Sequence, residues 1–253
     1  MLIDTHCHLD AAEFDADRDA IVASAQEGDV GMIVIPAVEY ANFDAVLDAC
    51  KRYPICVAAL GMHPMYIHHH RPDHLQALRD AIRKYKPVAV GEIGLDYFVP
   101  DLDQDTQEFY FVEQLKIAKE FDLPVLLHIR KANDQVLKQL RRFKLRGGIA
   151  HAFNGSVHQA NEFIKLGFKL GFGGAMTYTR ALNLRRLAAD LPLEAIVLET
   201  DAPDIPPVWI GKNRNSPAYL PQIAAELASI RKIGIEELKA VTSKNALDLF
   251  QLK

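Results

Sequence analysis

The chain has 253 residues, of which 49% are hydrophobic and 25% are charged, values that are ordinary for a soluble globular protein. Its formal net charge is −4, with 29 basic and 33 acidic residues, which excludes a strong overall field that would attract nucleic acid. An anionic substrate must therefore be attracted locally, by its own site.

Short apolar runs recur along the chain, and each is followed by a stretch in which apolar residues have helical spacing. In chain order, the predicted strands are Leu2–His6, Met32–Ala37, Cys56–Gly61, Val88–Ile93, Val125–Ile129, Gly148–Ala152, Lys169–Gly173 and Ala195–Thr200. Helical spacing is clear over Thr106–Phe121 and Asn133–Phe143. A proline-rich loop, Ala202–Pro217, follows the eighth strand and precedes two further predicted helices.

Strands that are apolar on both faces and alternate with helices indicate a parallel sheet with both faces covered. Eight such units favour an α/β fold of the TIM type, a closed (β/α)8 barrel with an extra C-terminal helix. No linker or change of composition interrupts residues 1–253, so we expect one domain. An open doubly wound sheet is the alternative, but no glycine-rich phosphate-binding loop follows the first strand.

Metal-ligand types stand at the carboxyl ends of the apolar runs. His6 and His8 end the first run, where the alternation of an extended chain places both side chains on one face. Four further runs end in Glu92, His128, His151 and Asp201. Active sites of such barrels are assembled at that rim from several strands, so we predict a metal site there.

The number of ligands indicates how many ions are bound. Four imidazoles and two carboxylates exceed the three protein ligands of a typical open catalytic zinc site. Two ions that share a bridging carboxylate would use all six, and Glu92, near the middle of the ligand order, is the predicted bridge. Cys7 should point away from the site. Imidazole-rich sites suit zinc or similar metals, and zinc, manganese, cobalt and magnesium all stay open.

Several segments carry a family pattern in the same order along the chain. They are Ile3–His8, Gly61–Pro64, Gly91–Asp96, Leu123–Arg130, His151–Gly155, Leu198–Pro203 and the closing helix Asn245–Phe250. These motifs resemble the TatD family of metal-dependent deoxyribonucleases, within the amidohydrolase superfamily. Gly171–Gly174 and Asp201–Asp204 resemble the YjjV-like branch of that family most.

The resemblance implies a TIM-type barrel, a divalent-metal site and nuclease activity, often 3′ to 5′ exonucleolytic on DNA. It makes His6, His8 and Asp201 the ligands of one ion. It makes His128 and His151 the ligands of the other, with Glu92 between the two ions. The loop Gly211–Pro217 matches only loosely the corresponding loop of relatives.

The predicted reaction is hydrolysis of a DNA phosphodiester by metal-activated water. Two ions about 3.5–4 Å apart would clamp the attacking and leaving oxygens, and a metal-bound water has a pKa of roughly 7. Asp201 is the predicted general base, and a role as ligand alone is the alternative. Asp4 shares a strand face with His6. Glu199 shares a strand face with Asp201. Asp4 and Glu199 are each predicted to orient a ligating imidazole or else to form a polar layer of the barrel.

Candidate substrate contacts lie at or beyond the strand ends. They are His63, Arg130, Phe153, Lys212 and Arg214. His63 and Arg130 are placed to bind phosphate oxygens, and Phe153 to stack on a base. Lys212 and Arg214 are candidate contacts to the DNA backbone. For each of them, packing within its own loop is the alternative.

Cys7, Cys50 and Cys56 are an odd number of widely spaced cysteines, which indicates free thiols in a reducing compartment. The residues Met1–His6 lack the pattern of a signal peptide, and no run approaches the roughly 18 apolar residues of a membrane span. We therefore expect a cytoplasmic protein that binds DNA or another phosphodiester and no membrane. Nothing in the sequence demands more than a monomer.

Two other functions stay open. A binuclear hydrolase of a small ester, amide or cyclic compound would use the same metals, since one barrel supports many chemistries. A non-catalytic nucleic-acid-binding protein is a third possibility. The intact set of six ligands and the lack of a basic face argue against it.

Overall fold

A computed structural model describes residues 1–252, in which eight parallel strands form one sheet and each strand pairs with the next along the chain. The strands are β1 (Leu2–Asp4), β2 (Val30–Pro36), β3 (Cys56–Leu60), β4 (Ala89–Asp96), β5 (Val125–Arg130), β6 (Gly148–Ala150), β7 (Phe168–Phe172) and β8 (Ile196–Leu198). The first and last strands, β1 and β8, meet at their carboxyl ends through main-chain hydrogen bonds. These run from Thr5 N to Leu198 O (3.0 Å) and from Asp201 N to His6 O (2.8 Å). The sheet thus has the predicted TIM-type barrel architecture.

Helices surround the barrel. The α-helices between strands are α1 (Arg18–Glu27), α2 (Phe43–Arg52), α3 (Pro72–Tyr85), α4 (Gln104–Glu120), α5 (Asn133–Phe143), α6 (Val157–Lys165) and α7 (Leu182–Asp190). After β8 come α8 (Leu220–Arg231) and α9 (Ile235–Phe250). None of the helices described between residues 1 and 252 combines the length and the apolar character needed to cross a membrane.

The last helix, α9, closes the amino-terminal end of the barrel. Asn245 donates hydrogen bonds to the carbonyls of Leu193 (2.9 Å) and Ile196 (2.8 Å), at the start of β8. The barrel interior and α9 share one buried cluster, formed by Ile3, Val34, Ala59, Ala89, Leu126, Ile149, Val197, Ala246, Leu249 and Phe250. The carboxyl ends of the strands therefore form the open mouth.

All eight predicted strands are present, with shifted ends. β4 continues to Asp96, beyond the predicted end at Ile93, so Glu92 lies within the strand rather than at its end. A register shift against β5 between Val90 and Ile93 interrupts the ladder around Glu92. Farther along, a side chain at Gly94 would collide with the carbonyl oxygen of His128, which the ladder places opposite it.

Candidate metal centre

His6 and His8 enter the mouth from the segment that directly follows β1, which ends at Asp4. The main-chain nitrogen of Cys7 donates to the carbonyl of Val34 (3.1 Å), and that of His8 donates to the carbonyl of Ala202 (2.8 Å). The Cys7 side chain is fully buried in the cluster between barrel and helices. Alternation along this segment therefore turns both imidazoles toward the mouth and Cys7 away from it.

Glu92 lies between imidazoles on two sides: Oε2 faces His6 and His8, and Oε1 faces His128, His151 and also His63. Oε2 is 3.1 Å from Nε2 of His6 and 3.5 Å from Nε2 of His8. Oε1 is 3.2 Å from Nδ1 of His128 and 3.5 Å from Nε2 of His151. Imidazoles from the ends of three different strands, β1, β5 and β6, thus converge on one buried carboxylate in β4.

Asp201 completes the group on the side of the first pair. Its Oδ1 lies 3.7 Å from Nε2 of His6 and 3.8 Å from Nε2 of His8. Donors about 2.0–2.1 Å from a tetrahedral ion lie about 3.3 Å from one another, which is close to these separations. Oε1 of Glu92 is buried without a hydrogen-bond partner among residues 1–252, as expected for an oxygen that faces a cation. The donor set fits divalent metal.

The metal-facing atom of His128 is fixed by Asp96, a residue that the sequence analysis missed. Nε2 of His128 donates to Oδ2 of Asp96 (2.9 Å), which leaves the lone pair of Nδ1 directed toward Glu92. A carboxylate behind a ligating imidazole orients the ring and increases its basicity. The available signal was the position of Asp96 at the end of the segment Gly91–Asp96, in the fourth predicted unit.

Glu199 occupies the corresponding position behind His151. Its Oε1 lies 3.4 Å from Nδ1 of His151 and accepts a hydrogen bond from the main-chain nitrogen of Ala152 (2.6 Å). The side chain is almost fully buried. Of the two alternatives predicted for Glu199, this contact favours orientation of an imidazole over a polar layer of the barrel.

Asp4 departs from the first of its two predicted alternatives, the orientation of an imidazole, and is closer to the second, a polar layer of the barrel. Its carboxylate accepts hydrogen bonds from the main-chain nitrogen of His6 (3.3 Å) and from N (3.0 Å) and Oγ1 (2.6 Å) of Thr200. Among the hydrogen bonds that the described chain forms, none joins Asp4 to an imidazole ring. Burial raises the pKa of Asp4 to about 7. The Asp4 side chain points from β1 toward β8, and its hydrogen bonds hold together the main chains that follow these two strands.

His63 faces the same carboxylate with a nitrogen that carries a proton. Its Nδ1 accepts a hydrogen bond from the main-chain nitrogen of Met65 (3.1 Å), so in the neutral ring the proton is on Nε2. Nε2 lies 3.3 Å from Oε1 of Glu92. A protonated nitrogen has no lone pair for a metal, so His63 presents an N–H group to the centre.

Two predicted substrate contacts are occupied by packing. Phe153 is 2% exposed and packs edge-to-face on Phe163, with 5.7 Å between ring centroids, so its ring is not available to a base. Arg214 forms a two-point ion pair with Asp17 (3.0 and 2.6 Å) and donates to the carbonyl of Glu13. For both residues the contacts favour the alternative of packing over a contact to substrate, because neighbouring side chains already occupy them.

The other two predicted contacts remain exposed. Arg130 ends β5, and its guanidinium carbon lies 3.8 Å from the centroid of the Phe98 ring. Lys212 is exposed in the loop after β8. The charged groups of both side chains are therefore accessible to a ligand.

Without metal, protonated imidazoles supply the positive charge of the centre. Burial lowers the pKa of His6 to about 3, so this ring is neutral. Burial alone would also lower the pKa of His8 and His151, but facing carboxylates raise these to about 9 and about 10. Although burial opposes it, the surrounding imidazoles hold the pKa of Glu92 well below its usual range. Burial raises the pKa of Asp201 to about 6.

Comparison with known proteins agrees with this geometry. The family model described as TatD related DNase matches residues 3–251. The metal-dependent hydrolase YjjV of Escherichia coli K12 is 41% identical over 253 residues, covering 99% of this chain and 98% of the relative. The crystal structure of YjjV superposes with a TM-score of 0.96 at 40% identity, covering 100% of this chain and 98% of that one.

A second relative has a more specific name. The 3′-5′ ssDNA/RNA exonuclease TatD of Klebsiella pneumoniae is 32% identical over 256 residues, covering 98% of this chain and 97% of the relative. The family model and both relatives span nearly the whole chain. The chain therefore belongs to the family of TatD-related DNases and is, as a member of it, a metal-dependent hydrolase.

Proposed function

We propose that this protein hydrolyses phosphodiester bonds of single-stranded DNA from the 3′ end, with two divalent metal ions bound at the barrel mouth. The observation that carries the proposal is the division of Glu92 between two imidazole pairs, with His6 and His8 on Oε2 and His128 and His151 on Oε1. One carboxylate shared in this way is the arrangement expected of a bridging ligand. The 3′-5′ exonuclease named among the relatives supports the substrate and the polarity.

In this proposal His6, His8 and Asp201 hold one ion, His128 and His151 hold the other, and Glu92 binds both. The ions, when bound, supply Lewis acidity, which makes a nucleophilic hydroxide available near neutral pH and stabilises charge on a phosphoryl group. The imidazole-rich donor set favours zinc or a similar transition metal over magnesium.

Side chains of the protein accept the proton of water, contact the substrate and orient the ligands. Asp201 has one oxygen, Oδ1, toward the imidazoles. Its second oxygen is then the group that accepts the proton of the attacking water. His63 directs its Nε2–H into the same space and donates to a phosphate oxygen of the substrate. Asp96 and Glu199 keep the rings of His128 and His151 in place, so the donors need little reorganisation during the reaction.

The test is reconstitution of metal-free protein with zinc, manganese, cobalt or magnesium, followed by incubation with single-stranded DNA labelled at its 5′ end. We expect a ladder of products that shortens from the 3′ end and no cleavage in the presence of EDTA. Asp201→Asn should lower turnover by about 100-fold or more, as for loss of a general base, while most of the bound metal stays.

Two results would contradict the proposal. Hydrolysis of simple esters without any cleavage of DNA would identify a small-molecule hydrolase with the same metals. An unchanged rate in Asp201→Asn would remove the general-base role and leave Asp201 as a ligand alone. Asp190→Asn is the matched control for a change of the same chemistry away from the centre, because this exposed residue ends α7, which leads into the amino-terminal end of β8.

A further inference from the structure

Phe98 and Arg130 form a stacked pair at the rim of the mouth. The guanidinium carbon of Arg130 lies 3.8 Å from the centroid of the Phe98 ring, which is the distance of direct stacking. Phe98 is 54% exposed even though Arg130 covers one face of its ring. The opposite face of the ring is therefore open to solvent, which is unusual for so large an apolar side chain.

The pair is held beside the metal centre by one carboxylate. Oδ2 of Asp96 accepts from Nε2 of His128, while Oδ1 accepts from the main-chain nitrogens of Phe98 (2.9 Å) and Val99 (3.2 Å). Arg130 follows His128 by two positions in β5, so both side chains project from the same face of that strand. The stacked pair and the metal-facing imidazole therefore share a common support.

The charge of Arg130 is free for a ligand. Among residues 1–252 no carboxylate pairs with its guanidinium, whereas Arg214 and Arg185 at other loops are paired with Asp17 and Glu226. An exposed ring with an unpaired guanidinium on its other face offers an apolar surface for stacking and a positive charge beside it. A nucleobase attached to a phosphate matches both features, since every base has a face for stacking and its phosphate has a negative charge.

We propose that the Phe98–Arg130 pair binds a nucleobase of the substrate by stacking on the open face of Phe98 and so positions the adjacent phosphate at the metal centre. This inference rests on the proposed nuclease function and deepens it. Stacking of this kind needs a base whose face is uncovered. The pair therefore selects single-stranded or frayed ends over paired duplex, because in a duplex the neighbouring bases cover each face.

The test compares an ordinary single-stranded oligonucleotide with one that has abasic residues at the three positions nearest the attacked end. The wild-type protein should cleave the ordinary strand faster by about 5- to 150-fold, the range for loss of one stacked base. Phe98→Leu should reduce this preference toward unity, and Phe98→Tyr should restore it. Fluorescence anisotropy with labelled oligonucleotides and metal-free protein gives a second readout, in which the same preference should be found in affinity.

Tyr85→Leu is the matched control, since Tyr85 is 42% exposed at the end of α3, which leads into the amino-terminal end of β4 and lies away from the mouth. It should keep the full preference for the ordinary strand. Metal content and thermal unfolding of each variant separate a local effect from misfolding. If Phe98→Leu retains the wild-type preference while DNA is cleaved, the stacking role is wrong and the nuclease function stands. If the wild-type protein cleaves no DNA, both proposals fail together.

Discussion

The charge of a single residue, Glu92, determines what the centre can bind. A carboxylate buried to 1% exposure is unfavourable unless positive charge surrounds it. In the metal-free protein that charge comes from protons on His8 and His151, whose pKa values of about 9 and about 10 are raised by the facing carboxylates in spite of burial. Metal ions can replace these protons because they supply the same charge to the same oxygens.

Metal binding should therefore release protons. His8 and His151 are protonated at pH 7 in the metal-free state, and a ligating imidazole must be neutral, so up to about two protons are released on saturation. Because both pKa values are raised, protons compete with metal below pH 9, and affinity should increase by up to about tenfold per released proton for each pH unit between pH 6 and 9. Titration calorimetry in buffers of different ionisation enthalpy measures the number released.

His68→Gln is a control for that titration, because this exposed histidine lies in the loop after β3 and is not among the metal-facing residues. It should give the same number of released protons as the wild-type protein. The contradicting result would be a metal affinity that does not change with pH, together with a binding enthalpy that does not depend on the buffer. It would mean that His8 and His151 are not protonated before metal binds.

The convergence of the six candidate ligands could be predicted at the residue scale because it follows from position alone. The carboxyl ends of parallel strands meet at one rim, so polar residues at those ends had to converge whatever the details of packing. The ion pair of Arg214 with Asp17 could not be predicted, since these residues are 197 positions apart and their contact depends on how the loop after β8 lies on the start of α1.

At the scale of elements, the strands were predictable and their exact limits were not. Apolar runs identify buried strands because both faces of a parallel barrel are covered. The end of β4 was misplaced because Gly94 and Asp96 interrupt the apolar run. Gly94 is required by the close approach of His128, and Asp96 is buried through its hydrogen bonds to His128 and Phe98. Hydropathy does not distinguish such buried polar positions from a loop.

The closing helix α9 should contribute to stability rather than to the reaction. Phe250 is 5% exposed in the cluster that fills the barrel from its amino-terminal end, opposite the metal centre. Phe250→Ala should lower the free energy of unfolding by about 3–5 kcal/mol, the usual cost of removing a buried phenylalanine ring. Urea denaturation monitored by circular dichroism measures this loss.

The matched control is Phe109→Ala in α4, where the ring is 48% exposed, and we expect a change within about 0.5 kcal/mol. The metal affinity of Phe250→Ala should equal that of the wild-type protein at temperatures where the variant is folded. Equal stability of Phe250→Ala and wild type would show that α9 does not support the barrel. A weakened metal site in the folded variant would show that the two ends of the barrel are not independent.

The whole molecule divides its tasks between the two ends of one barrel. The amino-terminal end is closed by apolar packing, and the carboxyl end gathers the titratable groups. With a net charge of −4, the surface as a whole does not attract an anionic substrate. Attraction must come from the mouth, where metal ions, when bound, would add positive charge and where Arg130 is exposed at the end of β5.

Because the core is separate from the centre, removal of metal should leave the barrel folded but less stable. Ligands that bind only the native state stabilise it by about 4 kcal/mol when free metal exceeds the dissociation constant a thousandfold. For a domain of this size, each kcal/mol corresponds to roughly 2–4 °C, so EDTA should lower the unfolding temperature by roughly 8–16 °C. Added zinc should restore the unfolding temperature. Glu92→Gln should abolish most of the difference between the metal-bound and metal-free protein, because the shared carboxylate is lost.

Two results would contradict this account. One is equal unfolding temperatures with and without metal. The other is a metal-free protein that lacks native circular dichroism and therefore depends on metal to fold.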